Sequence, residues 1–231
     1  MKQLKKAICI IPLRKNSISI KNKNIMSFNK KPLAYYVIDV ALKSKLFDKV
    51  VIATDSDDYI KILKKNIKNS KILFFFKRSS GSAKKFAPTE NVITEVLNYF
   101  NYSADTFLIQ ATSPLLKKKD LIEGYNKYKS EKFDSLFSSY QSHKFCWKEN
   151  KSKNLKSINY NYKQRPMRQE IQNYSVENGA FYIFKTIKFM KIKNRLFGKI
   201  GTYHMPEERS FEIDDHNQLL FVEKLKIKLR F

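Results

Sequence analysis

"KAICIIPLRKNSISIKNKNI", residues 6–25, joins a short apolar run to a basic turn rich in hydroxyls and amides. The run from Ala7 to Leu13 reads as a buried strand, because it is short, rich in isoleucine and closed by Arg14. Next comes "KPLAYYVIDVALKSKLF" (31–47), with Pro32 at a helix start and apolar residues at helical spacing, then "KVVIATDS" (49–56) as a second buried strand. Strand, turn, helix and strand in that order make a βαβ unit, so the stretch predicts an α/β fold around a mainly parallel sheet. The rhythm continues through "DDYIKILKKNI" (57–67), "ILFFFKR" (72–78), "APTENVITEVLNYF" (87–100), "DTFLIQATSP" (105–114), "KKDLIEGYNKYKSE" (118–131) and "FDSLFSSY" (133–140). It breaks over residues 141–175, a Lys-, Asn-, Ser- and Tyr-rich excursion. It resumes with "ENGAFYIF" (177–184) as a strand after a glycine turn, "IGTYHMP" (200–206) and a closing amphipathic helix, "HNQLLFVEKLKIKL" (216–229).

The 231 residues, 42% of them hydrophobic, suit one domain spanning 1–231, with the excursion inside it. Forty-six Lys and Arg against 21 Asp and Glu give a formal charge of +25, which admits nucleic acid, an anionic membrane or a small polyanionic substrate as partner. Nucleic acid ranks last, because the sequence has no helix-turn-helix, zinc or ribonucleoprotein signature. The Lys-led start imitates a signal peptide, but its apolar run contains Pro12, stops at Arg14 and reads as a strand. No apolar stretch is long enough to span a bilayer, so no membrane partner is expected. Cys9 and Cys146 are too few for a disulfide framework or a paired-ligand zinc site, which fits a cytoplasmic protein.

In an open α/β sheet, ligands bind beyond the carboxyl ends of the strands. Four such loops carry polar chemistry: the opening turn, "RSSGSAKKFAPTE" (78–90), "QATSPL" (110–115) and "EIDD" (212–215). The opening turn offers Arg14, Lys15, Lys21 and Lys23 with Asn16, Ser17, Asn22 and Asn24. These could hold a polyphosphate by charge-assisted hydrogen bonds, or form a solvated basic loop. The turn matches neither GxxxxGK[ST] nor GxGxxG. On an extended chain Glu212 and Asp214 project to one side and could share a Mg²⁺; equally, these carboxylates could cap the helix that follows.

Taken in order, "IPLRKNSISIKNKNI", "FDKVVIATDSDDY", "QATSPL", "SHKFCWKE", "RPMRQEIQNYSVENGAFYIF" and "SFEIDD" resemble the acylneuraminate cytidylyltransferases, the CMP-sialic acid synthetases, over nearly the whole chain. The resemblance implies a Rossmann-like nucleotide-diphospho-sugar transferase fold, with CTP and a nine-carbon keto-acid sugar as substrates, Mg²⁺ as cofactor and a role in surface-glycan synthesis. It implies a homodimer in which residues 141–175 form the dimerisation excursion. By the same resemblance Arg14, Lys23 and Asp214 are catalytic, and Arg14, Asn16, Ser17, Lys23, Asn24, Arg78 and Thr89 bind the nucleotide. Gln110, Thr112, Arg165, Arg168, Asn178 and Phe181 meet the sugar, and Glu212 and Asp214 hold the metal. The chain departs from the family pattern in four places. It has Ser17-Ile18-Ser19 for Ser-Lys-Gly, Lys85 for Asp, Cys146 for a Lys or Arg, and Glu212 for Asp. These substitutions leave open a catalytically impaired nucleotide-binding relative.

Overall fold

The computed structural model describes residues 6–15, 20–170 and 173–228, with Arg168 described by its backbone. The opening run is strand β1 (Ala7–Leu13), and its residues alternate between two cores. Ala7, Cys9, Ile11 and Leu13 face one, while Ile8 and Ile10 face the other, as a strand buried on both sides requires. A two-residue ribbon, β2 (Ser27–Phe28) with β3 (Lys31–Pro32), leads into α1 (Leu33–Ser44). Then follow β4 (Phe47–Thr54), α2 (Asp57–Asn66), β5 (Leu73–Lys77), the single turn α3 (Ser80–Ala83) and α4 (Thr89–Tyr99). The next elements are β6 (Asp105–Ile109), α5 (Lys118–Ser130) and β7 (Ser135–Ser142). Pro32 and Pro88 sit immediately before α1 and α4, where a missing N–H costs nothing.

The excursion carries a small hairpin, β8 (Trp147–Glu149) with β9 (Leu155–Ser157), and two 3₁₀ turns, at Tyr162–Gln164 and Arg168–Glu170. The chain returns through β10 (Tyr174–Lys185), α6 (Thr186–Ile192), β11 (Ile200–His204) and α7 (His216–Lys228). The expected glycine turn before "AFYIF" lies inside β10 instead. That strand starts at Tyr174, and Gly179 (φ +65°) falls in an irregularity of its pairing with β7 between Glu177 and Tyr182.

The seven-stranded sheet has the order β11-β7-β10-β6-β1-β4-β5, parallel except for β10, which runs against both neighbours. From β1 the chain moves through β4 to β5, then returns to place β6 on the other side of β1. This reversal opens a crevice at the carboxyl ends of β1 and β6. Helices α1, α2 and α5 cover one face, and α4 and α6 the other. A third cluster of Ile20, Phe28, Leu33, Leu115, Ile213, Leu219 and Val222 packs α7 onto the β2–β3 ribbon. Burying Ile213 there brings its two acidic neighbours to the crevice. Among the described residues, no helix is long and apolar enough to cross a membrane.

Candidate active site

A cleft of about 480 Å³ lies at the crevice, with the ends of β1, β5 and β6 as its floor and the "EIDD" segment as one wall. It gathers Arg14, Lys23, Asn24, Arg78, Thr89, Gln110, Thr112, Glu212 and Asp214, all singled out from the sequence. Asn16 and Ser17, together with Ile18 and Ser19, lie outside the described residues, as does the Arg168 side chain.

On the basic side, the Arg14 guanidinium donates to the carbonyls of Lys84 (2.9 Å) and Lys85 (2.6 Å), tying the end of β1 to the loop before α4. Asn24 is buried and donates through Nδ2 to the Arg14 carbonyl (3.0 Å). Lys23, only 8% exposed, donates through Nζ to Asp214 (2.8 Å). Arg78 is equally buried and bonds the Ser82 hydroxyl (3.3 Å) and carbonyl. Burial lowers its pKa against the pull of Asp55 and Glu95, and nearby Arg14 adds to the lowering. Two arginines and two lysines, Lys23 and Lys85, thus line a small volume, a field suited to a polyphosphate.

On the acidic side, the alternation expected of an extended chain holds. Ile213 is fully buried and its N–H donates to the Thr112 carbonyl (3.0 Å), while Glu212 and Asp214 both face the cleft. Asp215 takes the capping role: it accepts from the Gln218 N–H (2.8 Å), and the Gln218 side chain accepts from the N–H groups of Asp214 (2.6 Å) and Asp215 (3.2 Å). This is a capping box, and it leaves the Asp214 carboxylate to the cleft. Glu212 lies against Gly179, where an added Cβ would stand 1.6 Å from Glu212 Oε1. Burial, then the like charges of Asp214 and Glu177, push the Glu212 pKa up to about 7 against the opposing pull of Lys23. Glu212 and Asp214 offer the oxygen donors that a Mg²⁺ beside substrate phosphates takes. Among the described residues, no cluster of three or more His, Cys, Asp or Glu forms a separate metal site.

Three of the residues expected at the sugar lie outside the cleft lining of this chain. Phe181 is fully buried in the core beneath α5, against Phe107 and Tyr203, and does not reach the cleft. The next residue, Tyr182, lines the cleft instead and donates its hydroxyl to Glu177. Asn178 is buried outside the cleft lining as a brace: Oδ1 accepts from Ser138 (2.6 Å) and Nδ2 donates to Ser210 (2.9 Å). Arg165 lies in the excursion, its guanidinium 3.8 Å from the Phe145 ring centroid, apart from the cleft of its own chain. Pro12, Ala87, Val92 and Tyr182 line the cleft without having been assigned to it from the sequence; as apolar or core-strand residues they carried no chemical signal. Lys85 lines it too, so this departure from the family pattern falls inside the site.

An open, mostly parallel sheet with a cation-rich, acid-edged cleft at its switch point defines an α/β protein whose ligand site lies beyond the carboxyl ends of its strands. The chain belongs to the cytidylyltransferase family, whose model matches residues 8–229. N-acylneuraminate cytidylyltransferase B of Danio rerio is 33% identical over 208 residues, covering 89% of this chain and 48% of that protein. Pseudaminic acid cytidylyltransferase of Campylobacter jejuni is 30% identical over 227 residues, 95% of this chain and 96% of that one. The chain therefore spans about half the length of the N-acylneuraminate cytidylyltransferases it matches and nearly all of the pseudaminic acid relative. In fold it is similar to CMP:2-keto-3-deoxy-manno-octonic acid synthetase, whose structure was solved with CTP. The TM-score is 0.69 at 14% identity, over 97% of this chain and 99% of that one.

Proposed function

We propose that the protein transfers the cytidylyl group of CTP to a nonulosonic acid, an N-acylneuraminate or a related nine-carbon keto-acid sugar. The anomeric hydroxyl loses its proton to solvent as its oxygen bonds the α-phosphorus, the bond from that phosphorus to the β-phosphate bridge breaks, and pyrophosphate leaves. The observation that carries this reading is the convergence, in one cleft of a cytidylyltransferase-family chain, of Arg14, Lys23 and Arg78 with the Glu212–Asp214 pair. The reaction needs alignment and charge neutralisation more than covalent help. Arg14 and Lys23 offset the triphosphate charge, Asn24, Arg78 and Thr89 frame the cytidine side, and Gln110 and Thr112 orient the sugar. Glu212 and Asp214 would hold Mg²⁺, which supplies charge neutralisation at the phosphates.

A homodimer accounts for the excursion. Trp147, Leu155, Ile158 and Met167 are large apolar side chains left 41–65% exposed there, next to the guanidinium of Arg165 that a sugar carboxylate needs. The free thiols of Cys9 and Cys146 suit the reducing cytoplasm. Lys85 in the cleft favours one second reading, a relative that binds CTP without turning it over. Pyrophosphate release from CTP and Mg²⁺ across a panel of N-acetylneuraminic, legionaminic, pseudaminic and 3-deoxy-octulosonic acids separates the two. Release with one of the nine-carbon acids is expected. Silence across the panel while CTP still binds would establish the second reading.

A further inference from the structure

Tyr59 does not line the cleft, yet its hydroxyl is where the two limbs of the basic turn meet. It stands in the first turn of α2, where the Ser56 hydroxyl accepts from its N–H (3.4 Å), and its ring is buried in the core at 1% exposure. From there the hydroxyl donates to the Lys15 carbonyl (3.0 Å) and reaches Asn22 Oδ1 (3.3 Å). Lys15 follows Arg14 and Asn22 precedes Lys23, so one phenol spans the two places from which the phosphate-facing cations project. Two further bonds complete the frame: Asp55 accepts from the Lys15 N–H (2.9 Å), and Asn24 donates to the Arg14 carbonyl (3.0 Å). Asn22 is itself fixed in the left-handed region (φ 57°), and its carbonyl accepts from the N–H groups of Ile25 (3.0 Å) and Met26 (3.2 Å).

A phenylalanine would fill the same core volume without burying a hydroxyl, and a buried hydroxyl is costly unless it is bonded. The hydroxyl therefore distinguishes a residue that serves the turn from one that fills the core. Burial, helped by Asp55, pushes its pKa up to about 12, so it remains a donor throughout the neutral range. On the cytidylyltransferase reading given above, we infer that Tyr59 is a positioning residue for the triphosphate end of the cleft. It fixes the spacing of Arg14 and Lys23 before nucleotide arrives, in a turn that lacks a phosphate-loop glycine. Fixing that spacing in the free protein removes an ordering cost from CTP binding.

The test is calorimetric binding of CTP and of CMP to the wild type, Tyr59→Phe, Asn22→Gly and the double variant. Tyr59→Phe keeps the ring, and Asn22→Gly keeps the left-handed backbone, so the second carries the test if the first does not fold. The expected result is a roughly tenfold weaker CTP affinity in Tyr59→Phe with CMP affinity within twofold of wild type. Asn22→Gly should lose roughly threefold for CTP, with no added loss in the double variant. Equal losses for CTP and CMP, or a CTP affinity within twofold of wild type, would overturn the positioning role alone. A wild-type protein that binds no CTP would overturn the functional reading and this inference with it.

Discussion

Gly179→Ala tests how the acidic edge of the cleft is built. Gly179 has φ +65°, where a side chain costs about 1–2 kcal/mol, and the new Cβ would lie 1.6 Å from Glu212 Oε1. To regain contact distance the carboxylate must retreat by about 2 Å, since non-bonded heavy atoms prefer roughly 3.5 Å. Glu212 can swing away because it is the end of a side chain, so the protein still folds, with a melting temperature lower by about 3–6 °C. Activity suffers far more, because a misplacement of about 1 Å already costs on the order of 100-fold. We expect kcat/KM to fall about 100-fold, and Glu212→Ala to fall by a similar factor. The double variant should be no worse than Glu212→Ala, because the three atoms nearest the alanine methyl all belong to the Glu212 carboxylate that is then gone. Steady-state pyrophosphate release on the four proteins gives the cycle. Near-normal activity in Gly179→Ala, or losses that multiply in the double variant, would refute the placement of Glu212 in the reaction.

Lys23→Met should abolish measurable turnover while raising the Glu212 pKa further, because Lys23 offsets the triphosphate charge on the proposed reading and opposes that upward shift; NMR titration of the Glu212 carboxyl checks the second half. Burial, followed by repulsion from Lys117, lowers the Lys226 pKa to about 8, beside the Tyr36 ring at 4.0 Å and the Pro114 carbonyl at 3.3 Å. Its unfolded pKa is about 10.4, so the unfolded chain holds the proton more tightly; the penalty is fully present below pH 8 and fades as pH rises toward 10. Lys226→Met should therefore stabilise the protein by on the order of 2 kcal/mol at pH 7, with the gain vanishing near pH 10, as read by urea denaturation. Arg209 neutralises the fully buried Asp120 (2.8 Å), which also accepts from the Lys117 N–H (2.8 Å) at the start of α5. Arg209→Met strands that carboxylate and should cost about 3–5 kcal/mol, measured the same way.

The sheet was legible because its strands announce themselves: β1 is an unbroken apolar run, β4 carries one from Val50 to Ala53, and α1 between them keeps its period. The short elements were not. Helix α6 has seven residues and β2 and β3 have two each, too little length for a period to emerge. The parity of β10 could not be read either. Both of its faces are buried, so Phe181 and Tyr182 look alike in sequence, and which of them meets the cleft depends on the register of β10 between β6 and β7. The ambiguity between ligand and cap in "EIDD" had a readable answer: Gln218, three residues after Asp215, completes a capping box and frees Asp214. Tyr59 carried no readable signal, since an aromatic at a core position of a helix predicts packing and not a bond to a turn 44 residues away.

The most direct measurement follows the α-phosphorus itself. Protein is incubated with Mg²⁺, a nine-carbon keto-acid sugar and CTP labelled at the α-phosphate, and the products are separated. Label recovered in a sugar nucleotide that carries CMP, absent with Asp214→Ala, is the predicted result. Label that stays in CTP with every sugar offered, or leaves as free CMP without the sugar, would contradict the account.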